Sequence, residues 1–111
     1  MAIYSGNDDQ ILPILSLGGL GVISVLSNIF PKKVHNIIEE FFNGNISSAM
    51  QFQLKAIPLI KALFSETNPI PIKAALNVMG YSVGIPRLPL VEMSSSGKEL
   101  LEKELKLYIK Q

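Results

Sequence analysis

The spacing of apolar positions changes along the chain, and each change marks an element. Ala2–Tyr4 is a short β-type stretch, closed by the turn former Ser5-Gly6-Asn7-Asp8. A helix is expected to begin there, with Asp8 or Asp9 as its N-cap, and to run through Ile11, Leu12, Ile14 and Leu15. Pro13 falls early in that helix, and Gly18-Gly19 stops it. Gly21–Val25 is mostly apolar and rich in β-branched residues, which reads as a buried strand of a parallel sheet covered on both faces. The opening is therefore one βαβ unit.

After Val25 the period becomes helical. Pro31 suits the first position of a helix whose face is Val34, Ile37, Ile38, Phe41 and Phe42, ended by Gly44. A longer helix is expected from Ile46 to Ser65, with a kink at Pro58. Asn68-Pro69-Ile70-Pro71 is extended, because residues before proline avoid the α region. Pro71 then starts a helix through Met79, stopped by Gly80. A connection across Gly84–Pro89 leads to a last helix over Ser96–Ile109, where Glu99 with Lys103 and Glu102 with Lys106 are spaced for i, i+4 pairing. One βαβ unit followed by four helices is lopsided. Two parallel strands bury too little to stand alone, so more of the sheet is expected to come from upstream.

Composition agrees. Of 111 residues, 48% are hydrophobic and 17% charged, and the mean hydropathy is +0.33. Such an oily small domain is expected to cover apolar area with a partner or with a missing remainder. A net charge of +1 gives no basic surface for nucleic acid, and the absence of cysteine excludes disulfides and thiolate metal sites. Ile11–Phe30 is the longest apolar stretch, but Pro13, Gly18, Gly19 and Gly21 break it as a membrane-spanning helix. The N-terminus has no basic region ahead of an apolar run. The expectation is a soluble, cytoplasmic protein without a membrane partner.

Four motifs occur in series: Ser5-Gly6-Asn7-Asp8; Gly18-Gly19-Leu20-Gly21-Val22-Ile23-Ser24-Val25 with Asn28; Leu63 through Lys73, containing Asn68-Pro69-Ile70-Pro71; and Arg87-Leu88-Pro89-Leu90. In that order and at those distances the chain resembles the end of the dihydrodipicolinate synthase family. The resemblance implies a mainly α segment: the last two βα units of a TIM (β/α)8 barrel (residues 1–44), then a three-helix C-terminal domain (residues 45–111). It implies a parent lyase of lysine biosynthesis that joins pyruvate to aspartate semialdehyde through a Schiff base, with no cofactor. The resemblance also implies that the lysine nucleophile belongs to the sixth strand, outside this chain. A barrel needs about 200 residues or more, so this chain is expected to be inactive alone. Two substrate-binding positions carry over, Gly6 after strand seven and Ile23 of strand eight, whose backbone faces the Schiff-base lysine and pyruvate. Asn7 stands where many members have aspartate, while Asp8 keeps the second acid.

Other candidates for chemistry have simpler explanations. The glycines at 6, 18, 19 and 21 suggest a phosphate loop, but Ser24 stands where the third glycine of a dinucleotide fingerprint would fall, so structural turns are the better reading. Asp8 and Asp9 as a metal or acid–base pair compete with helix capping, which needs fewer assumptions. His35 has no second ligand at metal-binding spacing. Lys32, Lys33 and Lys73 fall at expected helix starts near solvent, whereas a Schiff-base lysine needs an apolar pocket. Two further functions stay open: another pyruvate-dependent aldolase, such as an N-acetylneuraminate lyase relative, and a self-associating helical module that pairs its orphan strands as a homo-oligomer.

Overall fold

A computed structural model describes residues 1–110. The chain runs β1 (Tyr4–Ser5), a 3₁₀ turn (Asp8–Gln10), α1 (Ile11–Ser16), β2 (Gly21–Val22) and a second 3₁₀ turn (Leu26–Asn28). The helices α2 (Pro31–Phe42), α3 (Ile46–Leu63), α4 (Ile70–Val78) and α5 (Ser95–Ile109) follow. The expected βαβ unit and the four later helices are all present.

Both strands are shorter than their sequence pattern. They pair in parallel, Tyr4 opposite Gly21 and Ser5 opposite Val22. Flanking bonds extend the ladder by one step at each end, from Leu20 N–H to the Ile3 carbonyl and from Ile23 N–H to the Ser5 carbonyl, both 2.8 Å. β2 does not continue to Val25, because the backbone amides of Val25 and Leu26 turn instead toward the Asp8 carboxylate.

Helix endings follow the glycines. Gly18, at φ +99°, places its own amide on the Leu15 carbonyl (3.1 Å) and the next amide on the Ile14 carbonyl (2.9 Å). This left-handed turn satisfies the last carbonyls of α1. Gly44 and Gly80 end α2 and α4 with the same pair of bonds. Helix starts depart further from expectation. Neither Asp8 nor Asp9 is an N-cap for α1. The residue before the first 3₁₀ turn is Asn7, whose side chain makes no capping bond, and both acids lie inside the turn. Asp8 is drawn away by partners more than fifteen residues distant, which a local capping rule does not contain.

The chain forms two compact units, residues 1–57 and 58–111. In the first, α1 and the second 3₁₀ turn pack on α2, burying Ile11, Leu15, Leu26, Val34 and Ile37. Phe42 belongs to the expected apolar face of α2, yet it is exposed and meets Phe41 edge-on at 5.4 Å. In the second unit α4 packs on α5, with Ile72, Ala75, Leu101, Leu105 and Tyr108 buried. Ser94 caps α5 by accepting the Gly97 amide (3.1 Å), and Glu66 accepts from the Ser94 hydroxyl (2.7 Å) and amide (3.3 Å). The i, i+4 pairs expected along α5 do not occur among the ion pairs of the described residues, whereas His35 and Glu39 on α2 approach to 3.4 Å. Both side chains are exposed, so the contact adds little to stability.

Candidate functional site at the end of the βαβ unit

Parallel pairing brings the C-terminal ends of β1 and β2 side by side. Gly6 leaves β1 and Ile23 leaves β2, and the bond from Ile23 N–H to the Ser5 carbonyl holds the two backbones together. Gly6 is exposed, and a Cβ built on it would meet nothing within 4 Å. The Ile23 side chain is 73% exposed. The two expected binding positions thus form one open edge.

A buried polar network lies directly behind that edge. Asp8 is 1% exposed. One carboxylate oxygen accepts from the Ser24 hydroxyl, and the other accepts the amides of Val25 (3.0 Å) and Leu26 (2.9 Å). Ser24 Oγ in turn accepts the Ser27 amide at 2.9 Å. From the other side, Gln53 of α3 donates from Nε2 to the Asp8 carbonyl (2.9 Å) and accepts the Leu12 amide at Oε1 (3.0 Å). Among the described residues no buried side-chain polar atom lacks a partner. Buried carboxylates are costly unless fully bonded, and this one is.

Ser24 and Gln53 were not singled out by the sequence reading. A signal for Gln53 existed, since it shares a helical face with Ala49 and Ala56, both fully buried. A polar side chain on an apolar stripe implies a buried partner.

The remaining candidates do not join this edge. Gly21 pairs with Tyr4 at the start of the ladder, so the Gly18-Gly19-Gly21 cluster lies at the opposite end of the strands from Gly6. Gly19 packs so tightly on α1 that a Cβ would fall 2.8 Å from the Ile14 carbonyl oxygen. That is a packing role. No cluster of three or more His, Asp or Glu is placed to hold a metal among the described residues. Lys33 lies 5.7 Å from the Phe30 ring centroid, and its pKa is pushed below the ordinary lysine value by burial first and by the charge of Lys55 second. Lys32 is exposed and Lys73 half-buried at the start of α4. In the second unit a shallow cleft of about 290 Å³ opens between α4 and α5, lined by Asn77, Lys98 and Glu102 among others. No helix of the described chain is long and apolar enough to cross a membrane.

Parallel strands joined by a helix, with both expected binding positions beyond their C-terminal ends, are built as in an α/β barrel of the TIM type. The model of the dihydrodipicolinate synthetase family matches residues 1–108, and the chain belongs to that family. The 4-hydroxy-tetrahydrodipicolinate synthase of Caldicellulosiruptor bescii is 61% identical over 103 residues, 93% of this chain and 35% of the relative. That of Thermoanaerobacter pseudethanolicus is 58% identical over 106 residues, 96% of this chain and 36% of the relative. The crystal structure of dihydrodipicolinate synthase from Thermotoga maritima matches 99% of this chain with a TM-score of 0.95 and 47% identity, and 37% of that chain is covered. The chain therefore spans little more than a third of the length of these relatives. Its fold is that of the last two βα units of their barrel followed by a helical tail.

Proposed function

We propose that this chain is the C-terminal part of a 4-hydroxy-tetrahydrodipicolinate synthase, a cytoplasmic lyase of lysine biosynthesis. The observation that carries the reading is the family match across residues 1–108, joined to identity as high as 61% with synthases of that name. In this reading residues 1–44 complete a barrel and residues 45–111 form its helical tail. The whole enzyme condenses pyruvate with aspartate semialdehyde. A lysine on the sixth strand forms a Schiff base with pyruvate, and that strand lies outside this chain. Gly6 and the Ile23 backbone border the pyruvate end of the site, where a residue without a side chain leaves room for substrate. The names of the relatives favour aspartate semialdehyde over the sialic acid of an N-acetylneuraminate lyase.

Alone, the chain forms no Schiff base. Treatment with pyruvate and borohydride is expected to leave its mass unchanged. Co-expression with the upstream two-thirds of a related synthase is expected to give a pyruvyl adduct on an upstream lysine. A stable adduct on Lys32, Lys33, Lys73 or any other lysine of the isolated chain overturns this reading.

One observation favours a second property, self-association. Ile3, Tyr4, Leu20 and Ile23 are all more than half exposed beside a two-stranded sheet whose outer edges are unpaired. Apolar surface next to open strand edges promotes pairing between chains, so the chain is expected to form homo-oligomers. Light scattering that gives 12.2 kDa at high micromolar concentration removes this property.

A further inference from the structure

We infer that Asp8 is a positioning residue for pyruvate: its buried carboxylate holds the segment after β2 so that the Ile23 backbone stays in register beside Gly6. The inference rests on the functional reading above, because Ile23 matters here only as a pyruvate neighbour.

Asp8 is not exposed to any ligand. It is 1% accessible, and its carboxylate oxygens are occupied by Ser24, Val25 and Leu26. These are the three residues immediately after Ile23. On its other side, Ile23 is tied to β1 by the hydrogen bond that its amide donates to the Ser5 carbonyl. Its backbone is thus fixed from both directions, by the ladder before it and by the carboxylate after it. The carboxylate has its own support, since Gln53 bonds the Asp8 carbonyl and the Leu12 amide from α3.

A stability role alone accounts poorly for this construction. The turn at Leu26–Asn28 is three residues long, and an ordinary serine or asparagine cap serves such a turn without burying a charge. Burying a carboxylate costs more than such a turn returns unless every acceptor is used. Here the donors satisfied are those that set the path of the chain at the open edge. A backbone contact that holds pyruvate equally before and during the reaction changes KM rather than kcat when it shifts.

The test uses a complete barrel that carries this chain as its C-terminal end. Asp8→Asn keeps the size but turns one acceptor into a donor. It is expected to raise the KM for pyruvate about tenfold while kcat changes by less than about twofold. Ser24→Ala is expected to do the same more weakly, and the double variant to be no worse than Asp8→Asn. The Ile23 amide resonance is expected to move in both single variants. A lowered melting point with unchanged pyruvate KM and an unmoved Ile23 amide makes Asp8 a structural cap only and overturns the proposal. Should Asp8→Asn not fold, Ser24→Ala decides, and a KM equal to that of the parent overturns it. The parent barrel's own borohydride adduct is the control for function. If that adduct is missing, the reading of the enzyme has failed, and the Ile23 resonance still reports separately on the positioning.

Discussion

Residues 1–57 join distant segments through buried polar groups, whereas in the unit that follows apolar side chains join α4 to α5 and the polar contact between Glu66 and Ser94, 28 residues apart, is exposed. In the first unit Asp8 and Gln53 link segments 16 to 45 residues apart. In the second, Leu101 and Leu105 on α5 pack on α4 with almost no exposure, and the Glu66–Ser94 contact lies in solvent. Apolar packing is non-directional and tolerates adjustment. Hydrogen bonds fix angles and distances and are costly when half-made. The polar network sits behind the edge formed by Gly6 and Ile23, the edge proposed to face pyruvate.

The comparison is broken most directly by volume. Leu101→Ala removes a fully buried side chain and is expected to cost about 3 kcal/mol, with loss of amide protection in α4 and α5. Leu101→Met conserves volume and is expected to cost less than about 1.5 kcal/mol. Gln53→Leu reverses that pattern. It keeps the bulk, yet strands the Leu12 amide and the Asp8 carbonyl, and is expected to cost about 2 kcal/mol. Urea unfolding of the three variants checks the contrast. A harmless Gln53→Leu would mean that the first unit, too, is held by volume alone.

These two kinds of construction also explain what the sequence made legible. Helix ends at Gly18, Gly44 and Gly80 were readable, because the left-handed turn is a local requirement of the residue itself. The starts of α2 and α4 were readable within a residue from Pro31 and Pro71. The parallel βαβ unit followed from glycine and β-branched patterning. Asp8 was misread as a cap of its own helix because the donors it serves belong to another element. The strands were overestimated for the same reason, since the pull of Asp8 on Val25 and Leu26 does not register in β propensity. At the site, the resemblance supplied Gly6 and Ile23, the apolar stripe around Gln53 was the one local signal for a buried partner, and nothing local pointed to Ser24 as the partner of Asp8.

A smaller effect sharpens the surface side of the comparison. Ser94→Ala removes both the cap on the Gly97 amide and the hydroxyl that Glu66 accepts from. The expected cost is about 1 kcal/mol, confined to the first turn of α5. Faster hydrogen exchange at Gly97 and Lys98, with the α4 amides unchanged, is the checking measurement. Exchange that spreads through α4 would show that this surface contact carries more of the unit than its exposure suggests.

The remaining effect appears only in alkali. Burial pushes the Tyr108 hydroxyl up from 10.0 to about 12. The fold therefore prefers the neutral phenol, and the unfolded chain is first to release the proton as pH rises. Tyr108 contributes its full share of stability below pH 10 and loses it between pH 10 and about 12. Lys33 acts in the opposite sense. Its folded pKa is lowered by burial first and then by Lys55, so its charge destabilises the fold at neutral pH and that penalty fades as pH approaches 10.5. A single pH profile mixes the two. Subtracting the profile of Tyr108→Phe from that of the parent cancels Lys33 and isolates the tyrosine. The difference is expected to be flat below pH 10 and to shift toward the phenylalanine variant above it. A difference that stays constant to pH 12 would mean that the hydroxyl reaches water, and that the second unit's core is less apolar than the contrast with the first requires.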